Sequence, residues 1–286
     1  MAGIDRRLDT SMQRPPQAVR DAAKKAEQLI NTRRVRPEDF RGRVGFDEGQ
    51  IDAHLAQVAN LRTKFKTPDE EFAKILEAIL ALETADLFGA GTRSMVASEY
   101  DDYVNGVDMA LIVQDKDKQV IFALAVDATL GESTAGQKIK RILDAIERSE
   151  GATIEYFKSG ARAEKLTDLP RAVIGLDQSS VRELAALWKR DELHTLSRHP
   201  LRRIIVEEIA SQTQAYARLA TQLGKQNMAE VYERASRTLA VLERSVKGIP
   251  YKTPEFDAES DPVFSYMQMV IKNIAPQQRR ILRSEP

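Results

Sequence analysis

The chain has no cysteine, which excludes disulfides, thiol nucleophiles and thiolate metal sites and suits a reducing compartment. Histidine is nearly as scarce. His54, His194 and His199 are too scattered for a His-rich metal centre, and the last two bracket a loop, which suits a structural role. No charge is in excess: lysine plus arginine and aspartate plus glutamate stand at 43 each, so any nucleic-acid site must be a local basic patch rather than a whole-protein field. No apolar run approaches the ~18 residues of a membrane span, and the opening MAGIDRRLDTSMQRPP lacks the apolar core of a signal peptide. The expectation is a cytoplasmic protein with no membrane partner. P-loop, GxGxxG and GxSxG patterns are absent as well, which removes the commonest nucleotide and hydrolase fingerprints.

What is present reads as alternating elements in a chain of 286 residues, long enough for a sizeable core. Residues 1–66 read as a helical arm, with a basic helix after Pro15-Pro16 and a second helix from about Asp47 to Lys64. Thr67-Pro68-Asp69-Glu70 is a helix start signal, a capping threonine followed by proline and acids in the first turn. The helix it opens is expected to run to Gly89. At 100° per residue Phe72, Ile75, Leu76, Ile79, Leu80, Leu82 and Leu87 form one stripe with Glu83 close to its centre, while Glu77 lies off it.

Valine, isoleucine and aromatic residues then mark strands at about Ser94–Tyr100, Val107–Val113 and Val120–Asp127. STAGQKIKRILDAIERSEG reads as a helix capped by Ser133 or Thr134 and stopped by Gly151. ATIEYFK and RAVIGL read as further strands, and SSVRELAALWKR as a helix. The stretch from 67 to 192 is therefore expected to be an α/β core, a mixed sheet of order αβββαβ covered by helices. From 193 to 286 a helical region follows, with two long amphipathic helices joined near Gly224 as a hairpin. Their apolar residues Ile204, Ile205, Ile209, Leu219, Val231, Leu239 and Leu242 suit packing on the core or on a second copy of the chain.

Two acids punctuate the apolar strands: Asp108 opens MALIV and Asp127 closes VIFALAV. With Lys116-Asp117 as a tight turn, residues whose numbers sum to 233 would pair, placing Asp108 diagonal to Asp127 on one face. A shift of two residues would set them directly opposite, and a shift of one would part them. Their face also carries the small Ala110, Ala123 and Ala125, which permit close approach. Two converging carboxylates can hold magnesium, which keeps waters and takes further ligands from phosphate oxygens. The competing reading is that both merely terminate strands, Asp108 as a turn residue after Asn105-Gly106 and Asp127 as a cap for the following helix.

The element order, with Gly106-Val107-Asp108 opening the second strand and Val126-Asp127-Ala128-Thr129 ending the third, resembles the PD-(D/E)xK nuclease superfamily over roughly Thr67 to Leu176. That resemblance implies Asp108 and Asp127 as ligands of magnesium or manganese, with the Ala128 carbonyl beside them. It also implies a glutamate from the first core helix, here Glu83, or Glu77 if the helix is rotated. The family's strand lysine is replaced by Thr129, which can hydrogen-bond a water but carries no charge. A lysine relocated to the next helix would be Lys138 rather than Lys140, because Lys138 lies nearer its apolar face. Asp102, in Glu99-Tyr100-Asp101-Asp102, is close enough in sequence to support a ligand, and Glu83 could alternatively pair with Arg93.

Tyr156 and Lys158 are candidate base and phosphate contacts. Arg33, Arg34, Arg36, Arg41 and Arg43, with Arg279, Arg280 and Arg283, are candidate backbone contacts for DNA or RNA. The leading expectation is a metal-dependent nuclease-like protein. The rival is a non-catalytic interaction protein with an inactive core whose helical hairpin mediates assembly.

Overall fold

The computed structural model describes residues 16–63, 70–89, 91–114, 121–160, 162–254 and 256–274. The fold is mixed α/β, with a mixed sheet of four strands, a small antiparallel sheet, and helices. The helices are α1 (Gln17–Arg33), α2 (Glu48–Arg62), α3 (Glu70–Leu82), α4 (Thr84–Phe88), α5 (Glu132–Arg148), α6 (Gln178–Lys189), α7 (Pro200–Gln222), α8 (Gln226–Val246) and α9 (Pro262–Lys272). The strands are β1 (Thr92–Val96), β2 (Met109–Gln114), β3 (Ile121–Leu130), β4 (Ala152–Ser159), β5 (Arg162–Leu169) and β6 (Arg171–Leu176). Among the described residues no helix is long and apolar enough to cross a membrane. The start signal Thr67-Pro68-Asp69, the turn at Lys116-Asp117, and Arg279, Arg280 and Arg283 lie outside the described residues.

The larger sheet has the order β1-β2-β3-β6, antiparallel through β3 and then parallel between β3 and β6. Its register is that of the two-residue shift: Met109 faces Val126 and Ala110 faces Ala125, so partners sum to 235. Side chains alternate along the strands. Met109, Leu111, Leu124 and Val126 enter one buried cluster with α1, α3 and α6, whereas Ala110, Ile112 and Ala125 enter another with Phe40, Ile51 and β4.

Three expectations need correction. The strand expected over Ser94–Tyr100 ends at Val96, and a π-helical turn, Asp101–Asn105, follows. The reason is Asp101, fully buried, whose carboxylate accepts from Ser98 Oγ at 2.7 Å and Asn105 Nδ2 at 2.8 Å and so curls the backbone. Next, the order αβββαβ is interrupted, because β4 pairs with the unforeseen strand β5 in a sheet of its own. Asp101 is involved here too: it accepts the backbone N–H groups of Glu155 at 2.7 Å and Tyr156 at 3.2 Å, capping the edge of β4 that a sheet neighbour would use. Strand β5 escapes a pattern reading because its side chains are mostly partly or fully exposed. Lastly, α3 stops at Leu82, not Gly89, and Glu83 is the non-helical residue before α4.

The arm and the C-terminal helices are both built into the core. Val19, Ala23, Ala26 and Ile30 of α1 share a cluster with α3 and α6, and α7 lies against β6. Gln212 clamps β6 from α7, donating Nε2 to Val173 O at 2.6 Å and accepting Val173 N–H at 2.9 Å. Ile204, Ile205, Ile209, Leu219, Leu239 and Leu242 are buried in the chain's own core and are therefore not free to form an assembly surface.

Candidate functional site

The candidate site lies where β2 begins and β3 ends. Asp108 precedes β2 and donates its backbone N–H to Val126 O at 3.0 Å, which holds it beside the last residues of β3. Its Oδ2 accepts the Ala128 N–H at 2.6 Å. Asp127, only 3% exposed, lies on the same sheet face as Ala110, Ala123 and Ala125.

Helix α5 supplies the cation. Gly131, with φ 76°, turns the chain straight from β3 into the helix, which begins at Glu132 rather than being capped by Ser133 or Thr134. Lys138 stands three residues after buried Ala135 and four before buried Ile142, on a row that faces the sheet. Its Nζ donates to Asp127 Oδ1 and, at 2.7 Å, to Ala128 O. Lys140 is exposed.

The helix acid at this cluster is Glu77. Arg34, at the end of α1, donates to Glu77 Oε1 at 3.1 Å and Asp102 Oδ2 at 2.9 Å, tying α3 to the π-helical turn. Asp102 is also within hydrogen-bonding reach of Asp108. Glu83, by contrast, is not part of the group: the charges around it are Asp86, Arg33 and Asp191. The stripe centred on Glu83 fails because the helix ends one residue before it, so the 100° rotation no longer applies.

Four carboxyls thus face three cations, Lys138, Arg34 and, beside Asp127, Arg171, and their acidities shift accordingly. Burial pushes Glu77 up to about 8, with Arg34 opposing and Asp108 and Asp102 adding to the rise. Asp102 is raised to about 7 by burial and Asp108 against the pull of Arg34, and Asp127 to about 6 by burial and Asp108 against Lys138. Burial disfavours the Lys138 ammonium, but Asp108 and Asp127 outweigh it and its pKa is raised. With all four ionised, one negative charge is left over, to be met by a shared proton or by a cation from outside.

No family model, curated protein or solved structure matches the chain. Geometry must carry the reading alone.

As a test of fit to a divalent ion, the available donors are hard oxygens: Asp108, Asp127 and the Ala128 carbonyl. Among the described residues no group of three or more His, Asp or Glu side chains is arranged to hold a metal. Magnesium needs only one or two carboxylates plus waters and phosphate oxygens, so the chemistry of the donor set fits while a complete protein cage is lacking. Lys138 already engages two of the three donors.

Thr129 is buried on the same face as Asp127 but farther along β3, opposite Gly175. A side chain at Gly175 would meet Met267 Sδ at 2.6 Å and Val263 Cγ1 at 2.8 Å, so α9 roofs this end of the sheet and leaves no room for a long cation there.

Several other candidates have structural employment. Tyr156 is buried, its hydroxyl 2.9 Å from His54 Nδ1, and so is not presented to a base, while the partly exposed Lys158 pairs with Asp39. His199 caps α7 by accepting the Leu201 N–H at 3.2 Å. Of the arginines in the arm, Arg34 serves the acid group, Arg41 pairs with Asp52, Arg43 bonds Asp39 O, and Arg33 bonds Ala81 O.

The pattern reading missed Arg34 as a partner of acids. It also passed over Arg141 and Arg171, which approach Asp127 around Gly106. Arg34 and Glu77 are 43 residues apart, and neither local periodicity contains a signal for their pairing.

Proposed function

We propose that the chain is a nuclease-like protein that binds DNA or RNA and hydrolyses a phosphodiester with magnesium or manganese, in the manner of the PD-(D/E)xK enzymes it resembles. The observation that supports this most is the meeting of Asp108, Asp127, the Ala128 main chain and Lys138 at one strand end. Asp108, Asp127 and the Ala128 carbonyl would hold the ion, which when bound supplies Lewis-acid stabilisation of phosphoryl charge.

Each residue then has a definable task. Lys138 presents a positive charge to the attacking water or the phosphate, replacing the strand lysine that Thr129 displaces. Asp127 and the Ala128 carbonyl hold that ammonium in place. Arg34 fixes Glu77 and Asp102, whose raised pKa values let them keep or accept a proton near neutral pH.

A second reading has one observation in its favour: Lys138 satisfies both Asp127 and the Ala128 carbonyl, as an ammonium would in an inactive core held together by an ion pair. Labelled single- and double-stranded DNA and RNA, incubated with the full chain and magnesium or manganese, separate the two. Metal-dependent cleavage lost in Asp108→Asn and Asp127→Asn supports the nuclease reading. Cleavage that survives both substitutions, or none at all with the wild-type chain, overturns it.

A further inference from the structure

Beside the acid group lies a cavity of about 300 Å³ with a different chemistry. Its wall carries Arg141, Arg148 and Arg171, with Tyr232, Ile142 and Ala145 as its less polar part. The opposing charge on that wall is Glu150, already bonded by Arg148 Nε at 2.8 Å. Two guanidinium groups therefore remain without a carboxylate inside the cavity.

Arg171 stands at the start of β6 and is mostly withdrawn from water. One Nη donates to Asn105 O, but its Nε is buried without a partner among the described residues. Arg141, exposed on α5, makes no hydrogen bond or ion pair among the described residues. The pKa of Arg171 is lowered chiefly by burial and also by the like charge of Arg141, against the pull of Asp127 and Asp108.

The cavity adjoins the candidate site through Gly106. A carbon added at Gly106 would lie 2.6 Å from Arg141 Nη1 and 3.8 Å from both Arg171 Nη1 and Asp127 Oδ2. Gly106, at φ 65°, is thus a bare stretch of backbone where two guanidinium groups and the metal-site carboxylate come together.

We propose that this cavity binds a phosphate monoester, the terminal phosphate of a nucleic-acid strand or of a free nucleotide, beside the Asp108–Asp127 site. A monoester carries close to two negative charges at neutral pH, where an internal diester carries one, and the wall offers it Arg141, which has no ion pair, and Arg171, which Asp127 also attracts. Arginine's fixed fork of donors suits tetrahedral phosphate oxygens. A cavity of about 300 Å³ is at the small end of ligand sites and admits a sugar beyond the phosphate. This assignment rests on the phosphodiester reading only for the meaning of its neighbour: it orients a strand end, so that the bond offered to Asp127 and Lys138 is one close to that end.

The experiment is equilibrium binding to the full chain in EDTA, where hydrolysis cannot proceed. The probes are fluorescent oligonucleotides with a phosphate or a hydroxyl at the 5′ end, the same pair at the 3′ end, and nucleoside monophosphate and inorganic phosphate as competitors. We expect one phosphorylated end to bind at least about tenfold more tightly than its hydroxyl counterpart, with Arg141→Ala and Arg171→Lys each removing most of the difference. Competition by nucleoside monophosphate in preference to inorganic phosphate identifies a free nucleotide as an equal source, and its absence assigns the site to strand ends. Equal binding of phosphorylated and hydroxyl ends overturns the proposal, as does an unchanged preference in Arg141→Ala, an exposed position whose loss does not threaten folding. Because metal is absent, the terminal-phosphate preference stands or falls separately from cleavage: Asp127→Asn should keep it even where hydrolysis is lost.

Discussion

Lys138 on α5 donates to Asp127 on β3 and, at 2.7 Å, to the carbonyl of the next residue, Ala128. One ammonium thereby joins the helix to the strand end and offsets a carboxylate that is almost wholly buried.

Lys138→Met should leave Asp127 without its hydrogen-bonded cation. A charged hydrogen bond contributes about 2 kcal/mol, so a loss of that order is expected in urea unfolding. Because Asp127 can take up a proton instead, the double variant with Asp127→Asn should be less destabilised than the sum of the single changes. Strict additivity would show that the two side chains do not act as a pair. If the chain cleaves phosphodiesters, Lys138→Met should also lower the rate about a hundredfold or more.

Arg34→Met removes the bridge between Glu77 and Asp102. Both partly buried carboxyls then lose their nearest counter-charge, a situation that costs up to about 3 kcal/mol. Arg34→Lys should recover only part of this, since an ammonium cannot reproduce the fork that reaches both acids. Denaturation midpoints test it; midpoints of both variants equal to that of the wild-type chain would mean that the bridge contributes nothing.

Glu208 on α7 is fully buried, accepting the Gly175 N–H at 3.1 Å through Oε2 while Oε1 has no partner among the described residues. Burial holds its carboxyl well above the usual range, the Gly175 N–H opposing and Asp261 adding. The unfolded chain releases this proton near 4.5, whereas the folded chain keeps it. Above that pH the folded state binds the extra proton, so the stability this group contributes below pH 4.5 is lost progressively as the pH rises toward the folded value. Glu208→Gln, which retains an acceptor for Gly175, should flatten the decline; an unchanged slope in urea midpoints between pH 5 and 8 would refute the assignment.

Gly106→Ala meets two obstacles. At φ 65° a side chain costs about 1–2 kcal/mol, and the new carbon would lie 2.6 Å from Arg141 Nη1. The expected outcome is a destabilised chain in which Arg141 is displaced. Restoration of wild-type stability in Gly106→Ala with Arg141→Ala would assign the whole cost to contact; a residual loss measures the backbone share.

Much of this was written locally. Asp108 and Asp127 stood at the ends of apolar runs, and period two alone put Asp127 on the face of Ala123 and Ala125. The spacing of Lys138 from Ala135 and Ile142 was likewise enough to aim it at the sheet. Which register joined the two strands was not legible, because the turn that sets it permits several pairings and the burial of both faces decides among them.

The remaining features came from contacts far apart in sequence. Glu77 rather than Glu83 joins the acids because α3 ends at Leu82 and because Arg34, from α1, covers the flank where Glu77 emerges. The β4–β5 hairpin exists apart from the main sheet because a buried Asp101 takes the β4 amides. Arg141 and Arg171 meet only because α5 and β6 are both folded back upon β3. Periodicity records which face of an element is buried, and so the sequence by itself determined the strand acids and the helix lysine. Only tertiary structure, by choosing what each buried polar group must pair with, decided the company they keep.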